Sequence, residues 1–439
     1  MRKWFAGLMA LSLLLAAGCG GGASQNQSGG GNGEPVTIRF LSLAWQKQSV
    51  EANKEIVAAW NQAHPDIQVE YIQGDWNSVH DYMLTSFESG DVPDVFHYDS
   101  SSIIDWANRG YLKELSSLIP AEMKEDISPN AWATVTNENG EIYGIPFLWE
   151  ALVTFYNVDR FEEAGITPPT ADDPWTWDEF MAAAKQLTKD EDGDGTPEQY
   201  GASWGLKSSA NRVLNLSLGF NGEFFYEENG KTVIRVGDPE KKVLQIIHDM
   251  MYVDKSASTD GIGQSGTDLL PGFYAGKYAM LPGLGVWARQ QISESAPEGF
   301  RWGVLPPFMG ENQNQGVGTQ TLSIPAEAEH PEEAMQFIEF FLNTENMGRL
   351  AQGDWVYPTR VSTMQLPEFQ TDKDGWKESA EYFDHMILAR FTRVPGLEEW
   401  KSKVANPVLQ EYFANAITLE EAARRLQDEG NPILERYAR

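Results

Sequence analysis

Between Asp190 and Glu198 the chain places carboxylates at alternate positions, Asp190, Asp192 and Asp194, followed by Gly195, Thr196 and Glu198. Acidic side chains this close repel one another unless a cation sits between them, and a hard divalent ion takes carboxylate and carbonyl oxygens from such a loop. Glycine supplies the sharp turn, while the Thr196 carbonyl and the Glu198 carboxylate offer later oxygens. This is the first half of a calcium loop. Position twelve is Gly201, where an EF-hand needs a bidentate Glu, so the segment is expected to be a stand-alone loop. It either holds a structural Ca2+ or is a solvated acidic turn. A single cysteine forbids an internal disulfide and any zinc cage of several thiolates, and the six histidines show no H-x-x-x-H spacing. No cofactor for catalysis is expected.

The lone cysteine, Cys19, has a different use. Met1, Arg2 and Lys3 precede an apolar stretch from Trp4 to Ala17, too short to span a bilayer but suited to a signal peptide's core. Residues 1–18 are therefore expected to be an export signal. The sequence Leu15-Ala16-Ala17-Gly18-Cys19 resembles a bacterial lipobox, which implies that Cys19 is lipidated and becomes the mature N-terminus. Residues 19–34, rich in Gly, Ser, Asn and Gln, cannot bury enough apolar surface to order themselves and read as a flexible tether. The expected location is extracytoplasmic, anchored by lipid to the outer face of the bacterial cytoplasmic membrane.

Composition bounds the partners. The 439 residues carry 33 Lys and Arg against 64 Asp and Glu, a formal net charge of −31, so the summed field repels nucleic-acid backbones and anionic headgroups. Fifteen Trp, 15 Tyr and 21 Phe take the chain far from the composition that leaves an acidic sequence disordered. A globular protein with no nucleic-acid partner follows.

The elements that must position any site alternate. Val36 to Leu43 is β-rich, a helical pattern places Ile56, Val57 and Trp60 on one face until His64-Pro65 stops it, and a second strand follows at Ile67, Val69 and Tyr71. The order recurs with a helix around Tyr82 to Glu88 and a strand at Asp94 to Tyr98. Such alternation predicts βαβ units and a mostly parallel sheet. A second α/β lobe is predicted from a capping box at Thr176 and Glu179, with Trp177, Phe180, Met181, Ala184 and Leu187 along one face of the helix behind it. Pro331 opens a further helix, and from Trp400 onward the chain reads as mostly helical.

Several segments in order resemble the large sugar-binding family of ABC-importer solute-binding proteins, the maltose and oligosaccharide type. They are Val36-Thr37-Ile38-Arg39-Phe40, Trp60-Asn61 to Val69, Gly90-Asp91-Val92-Pro93-Asp94-Val95 and Gly110-Tyr111-Leu112. Tyr143-Gly144-Ile145-Pro146 follows, with Glu150-Ala151-Leu152 and Phe155-Tyr156-Asn157-Val158-Asp159 behind it. Phe273 to Met280 and Tyr357-Pro358-Thr359-Arg360 complete the series, which spans nearly the whole mature chain. The resemblance implies an α/β, two-lobe periplasmic-binding-protein-like fold of type II, with a ligand cleft between lobes joined by a strand hinge. The expected lobes are residues 35–148 with 322–375, and 149–321 with 376–439. It also implies an oligosaccharide ligand, ABC permease subunits as partners, a monomer and no catalysis.

Sugar capture needs flat aromatic faces for the apolar faces of pyranose rings and paired acceptors for hydroxyls. On the resemblance, Glu150 is a hinge carboxylate, Tyr98 and Asp99 are a stacking ring and its polar partner, and Asn211 and Arg212 are second-lobe contacts. Trp45 closes the first strand, at the edge where open α/β sheets bind ligands. Trp287 follows a glycine-rich stretch, Gly283 to Gly285, that would let backbone approach a ligand. Asp354 and Trp355 lie near a loop that the resemblance implies faces the cleft, and Trp400 sits where a late helix can offer another ring. Some relatives of this type hold calcium in a loop like that at Asp190. Two rival readings stay open: a secreted glycan-degrading enzyme, which needs two carboxylates about 5 to 10 Å apart across a cleft, and a receptor for a peptide or polyamine.

Overall fold

The computed structural model describes residues 35–316 and 318–437; the expected signal peptide, Cys19 and the tether lie outside the described residues. Two sheets organise the rest. The first has the order β14-β4-β13-β3-β1-β2, where β1 is Val36–Ser42, β2 Ile67–Gln73, β3 Val95–Asp99, β4 Ile145–Glu150, β13 Gly318–Ser323 and β14 Tyr357–Pro358. The second has the order β11-β5-β10-β6-β9, with β5 Leu152–Asn157, β6 Tyr200–Ser203, β9 Ala257–Ser258, β10 Tyr278–Gly285 and β11 Trp302–Leu305. Two short ribbons complete the set: β7 (Phe225–Glu228) with β8 (Lys231–Ile234), and β12 (Gln315–Gly316) with β15 (Met386–Ile387).

The first helix runs Lys47–Ala63 and buries Ile56, Val57 and Trp60, the face that the sequence marks, and the Trp60 ring stacks on His64 at 3.7 Å. The capping box at Thr176 forms as expected: its hydroxyl accepts from Glu179 N, and the Glu179 carboxylate accepts from Thr176 N. The late helical region contains a π-helical turn at Lys401–Ala405, just before Asn406–Phe413. Pro407 has no N–H for the Lys403 carbonyl, which explains why the regular ladder slips there.

Both sheets are mixed rather than mostly parallel. β1 pairs in parallel with β2 and β3, but β13 runs antiparallel to β3 and β4. The reason is the hinge: β4 leaves the first sheet and β13 returns to it, so neighbouring crossings run in opposite directions. A single residue, Ala151, separates β4 from β5 and hence one sheet from the other. The second crossing lies between Leu305 and Gly318, and the third follows β14. Trp149, Glu150 and residues 318–321, expected on the second-lobe side, are hydrogen-bonded into the first sheet. The strands simply continue to the crossing point.

Candidate functional site

Between the two sheets, at the Ala151 crossing, lies a chamber of about 300 Å3. Asp99, Ser100, Ser101 and Glu150 face it from the first sheet's lobe. From the other side it is lined by Asn211, Asn215, Gly285, Trp287, Phe391, Thr392, Glu398 and Lys401.

Asp99 ends β3, and its carboxylate accepts from Ser101 N at 2.8 Å, capping the turn that carries Ser100 and Ser101. Burial pushes this carboxyl above the usual aspartate range, and the Glu398 charge adds to the rise. Glu150 ends β4 opposite Gly318, and its Oε1 accepts from Gln320 Nε2 at 3.1 Å. Burial, with Asp99 nearby, pushes the Glu150 carboxyl up to about 7. Gln320 is itself buried against His97 and Asp354. His97 Nδ1 accepts from Leu43 N at 3.2 Å, which assigns the neutral tautomer with its proton on Nε2, and burial lowers its pKa to about 3. A fixed polar layer thus backs the cleft carboxylate.

On the second lobe, Asn211 and Asn215 stand one turn apart on the helix Ala210–Ser217, and Asn215 Nδ2 donates to Asn211 O at 2.8 Å. Trp287 follows β10 and meets Trp45 of the first lobe edge to face, ring centroids 6.0 Å apart. Trp45 remains half exposed at 50%. It borders the chamber through Trp287 rather than lining it. Lys401 is paired with Glu398 at 2.6 Å, and its charge offsets only part of the rise that burial and Glu398 impose on Asp99.

Four expected contacts, Asp99, Glu150, Asn211 and Trp287, therefore meet in one chamber. Five others do not reach it. Tyr98 alternates to the opposite face of β3, where its ring stacks on Trp106 at 4.9 Å and its hydroxyl meets His80 Nδ1 at 3.1 Å. Arg212 sits about 100° around the helix from Asn211 and points into the lobe. Its guanidinium donates to the Gly283 carbonyl at 2.8 Å and to that of Gly205, and burial lowers its pKa to about 10. Asp354 is buried behind the cleft beside Ser49, Asn53 and His97, its carboxyl pushed up to about 6 by desolvation. Trp355 caps the preceding helix at φ 57°, stacks on Trp376 at 6.0 Å and accepts from Arg289 Nη2 at its carbonyl. Trp400 is 1% exposed in the second core, edge to face with Phe225, its Nε1 donating to Leu426 O.

The glycines before Trp287 serve protein packing rather than ligand approach alone. A Cβ on Gly285 would lie 2.1 Å from Trp287 Nε1, and one on Gly283 would press on the Arg212 side chain. Asn215, Phe391, Glu398 and Lys401 are among the lining residues that sequence reading missed. Asn215 was within reach as the i+4 partner of Asn211; the other three arrive through the last crossing and carry no local mark.

Remote in the second lobe's sequence, Asp190, Asp192 and Asp194 bring carboxylate oxygens within 4.8 Å of one another. The loop is tied by its own backbone: Asp190 accepts from Gly193 N and Gly195 N, and Asp194 from Thr196 N. Glu198 accepts from Glu191 N at 2.7 Å and closes the base, apart from the converging trio. Three convergent hard oxygens suit Ca2+ in charge and type.

Residues 45–348 match the profile of the bacterial extracellular solute-binding proteins. A Streptomyces antibioticus protein described as an uncharacterized lipoprotein in the oleD 5′ region is 43% identical over 422 residues, covering 95% of this chain and 90% of the relative. An arabinooligosaccharide-binding protein of Bacillus subtilis is 26% identical over 355 residues, 79% of this chain and 77% of the relative. Among solved structures, the Listeria monocytogenes ABC substrate-binding protein Lmo0181 in complex with cycloalternan superposes with a TM-score of 0.76 at 22% identity, covering 91% of this chain and 99% of that one. With a profile that takes in well over half its length and two lobes crossing at Ala151, the chain belongs to the bacterial extracellular solute-binding proteins.

Proposed function

We propose that this protein captures an oligosaccharide in the interlobe chamber and delivers it to the permease of an ABC importer, without transforming it. The observation that carries the reading is the juxtaposition of Trp287 with Asp99, Glu150 and Asn211. An indole face covers the apolar face of a sugar ring, the carboxylates accept from hydroxyls, and the amide both donates and accepts. The arabinooligosaccharide- and cycloalternan-binding relatives support a saccharide over a peptide or polyamine. A thermal-shift screen across oligosaccharides tests it, since ligand at a hundredfold over its Kd stabilises by about 2.7 kcal/mol. No stabilisation by any saccharide would count against the reading.

The same chamber motivates the rival. Asp99 and Glu150 both titrate above the usual carboxylate range, as the general acid of a glycan-degrading enzyme must. Release of reducing sugar from bound glycans would establish that alternative.

Two further features belong to this reading. Cys19 carries the lipid anchor that holds a monomeric receptor at the outer face of the cytoplasmic membrane, as the lipoprotein relative suggests; Cys19→Ala protein still sedimenting with membranes would contradict it. The loop at Asp190, Asp192 and Asp194 holds a structural Ca2+, with Thr196 and Glu198 shaping its closing half.

A further inference from the structure

Past Glu398 the cleft does not end. A second chamber of about 330 Å3 opens between the first-lobe helices Val79–Ser89 and Ile103–Asn108 and the second-lobe segment from Leu397 to Lys403. It shares Ser101, Leu397 and Glu398 with the first chamber, and no hinge strand lines it. Each chamber alone sits at the small end of ligand pockets, which span about 300–1,000 Å3, and the two joined reach the middle of that range.

The walls of the second chamber say what it takes. Two ion pairs are closed within single lobes, Arg109 with Asp105 at 3.0 Å and Lys403 with Glu399 at 2.7 Å, while Asp81 and Glu398 add two further carboxylates to the walls. An anionic ligand is repelled by this acidic lining. A neutral polyhydroxyl finds carboxylate oxygens with spare lone pairs, the Ser402 hydroxyl and a ring: Tyr437 is 36% exposed, with the Arg109 guanidinium 5.6 Å from its centroid. Both lobes contribute to this chamber, as they do to the first.

We infer that the two chambers form one continuous groove and that the solute is an oligosaccharide longer than a disaccharide, its outer units held between Asp81 and Ser402. This rests on the saccharide reading above. Because the outer units also touch both lobes, each added unit favours the closed arrangement as well as adding contacts.

Calorimetric titration of the purified protein with linear α-glucan, mannan and arabinan ladders of two to six units tests the inference. In whichever ladder binds, affinity should rise at least tenfold between two and four units. Ser402→Trp and Asp81→Trp, exposed positions on opposite walls, should each erase most of that gain and leave disaccharide binding unchanged. Melting curves establish that the variants are folded. Affinity that is flat from two units onward overturns the second chamber while leaving the saccharide reading in place. So does a chain-length gain that survives in both folded variants. Binding by no ladder overturns the saccharide reading and this inference together.

Discussion

Gln320 Nε2 donates to Glu150 Oε1 across 3.1 Å, tying the strand that returns through the hinge to the last residue of the strand that leaves it. The bond fixes one carboxylate oxygen and leaves the other for the cleft. Sugar hydroxyls that donate to Glu150 favour its ionised form, so affinity should rise with pH and level off above about 7, where the buried carboxyl titrates. Gln320→Leu removes the donor that stabilises that charge. The variant should bind about tenfold more weakly at pH 7, and the midpoint of its affinity profile should move to higher pH. Kd measured from pH 5.5 to 8.5 in both proteins reads this; superimposable profiles would show Gln320 to be mere packing.

The same carboxyl sets a stability trend in the ligand-free protein. Its folded pKa of about 7 lies above the ordinary 4.5, so folding favours the protonated form. That stabilisation is fully present below about pH 4.5 and is lost as pH rises through 7. Glu150 keeps part of its surface open to the cleft, which reduces the size of the effect but not its sign. Asp354, raised to about 6, acts in the same direction over a lower window. Glu150→Gln should therefore flatten the fall in Tm between pH 4.5 and 7, and an unchanged slope would contradict the assignment.

Trp400 and Trp287 should separate stability from binding. Trp400 is enclosed by Phe224 and Phe225 and anchored at Leu426 O, so Trp400→Ala should destabilise by about 3–5 kcal/mol while the folded fraction binds like the parent. Denaturant melts with parallel titrations check both halves. A loss of affinity with unchanged stability would return Trp400 to the cleft.

Chelation should lower Tm, because an ion held by Asp190, Asp192 and Asp194 stabilises only the state in which the loop is closed. Asp192→Asn keeps an oxygen for the Asp194 N–H bond and removes a charge, so it should abolish the sensitivity without unfolding the loop. Identical melting with chelator and with excess calcium would leave a plain acidic turn.

Periodicity made the two α/β lobes legible, and particular residues show where that signal stops. Ile56, Val57 and Trp60 declared a buried helix face, and they form one. Asp99 and Glu150 were legible through the resemblance to the sugar-binding family, and each ends a strand at the edge where the lobes meet. Tyr98 was misplaced by one position, and strand alternation sends it to the far face. Arg212 was misplaced by one helical step, which turns its guanidinium into the core. The mixed sheets and the set of Phe391, Glu398 and Lys401 had no local mark. They depend on where three hinge crossings return the chain, and that is fixed by packing between segments far apart in sequence.

The claim at the centre is that a saccharide binds where Trp287 of one lobe faces Asp99 and Glu150 of the other. The most direct test is calorimetric titration of the parent and of Trp287→Ala with an oligosaccharide that raises the parent's Tm. The account predicts one-to-one binding by the parent. It predicts a loss of about 1–3 kcal/mol in the variant, from the ring burial that is no longer available, with its melting otherwise preserved. Equal affinity in the two proteins would place the site elsewhere and contradict the account.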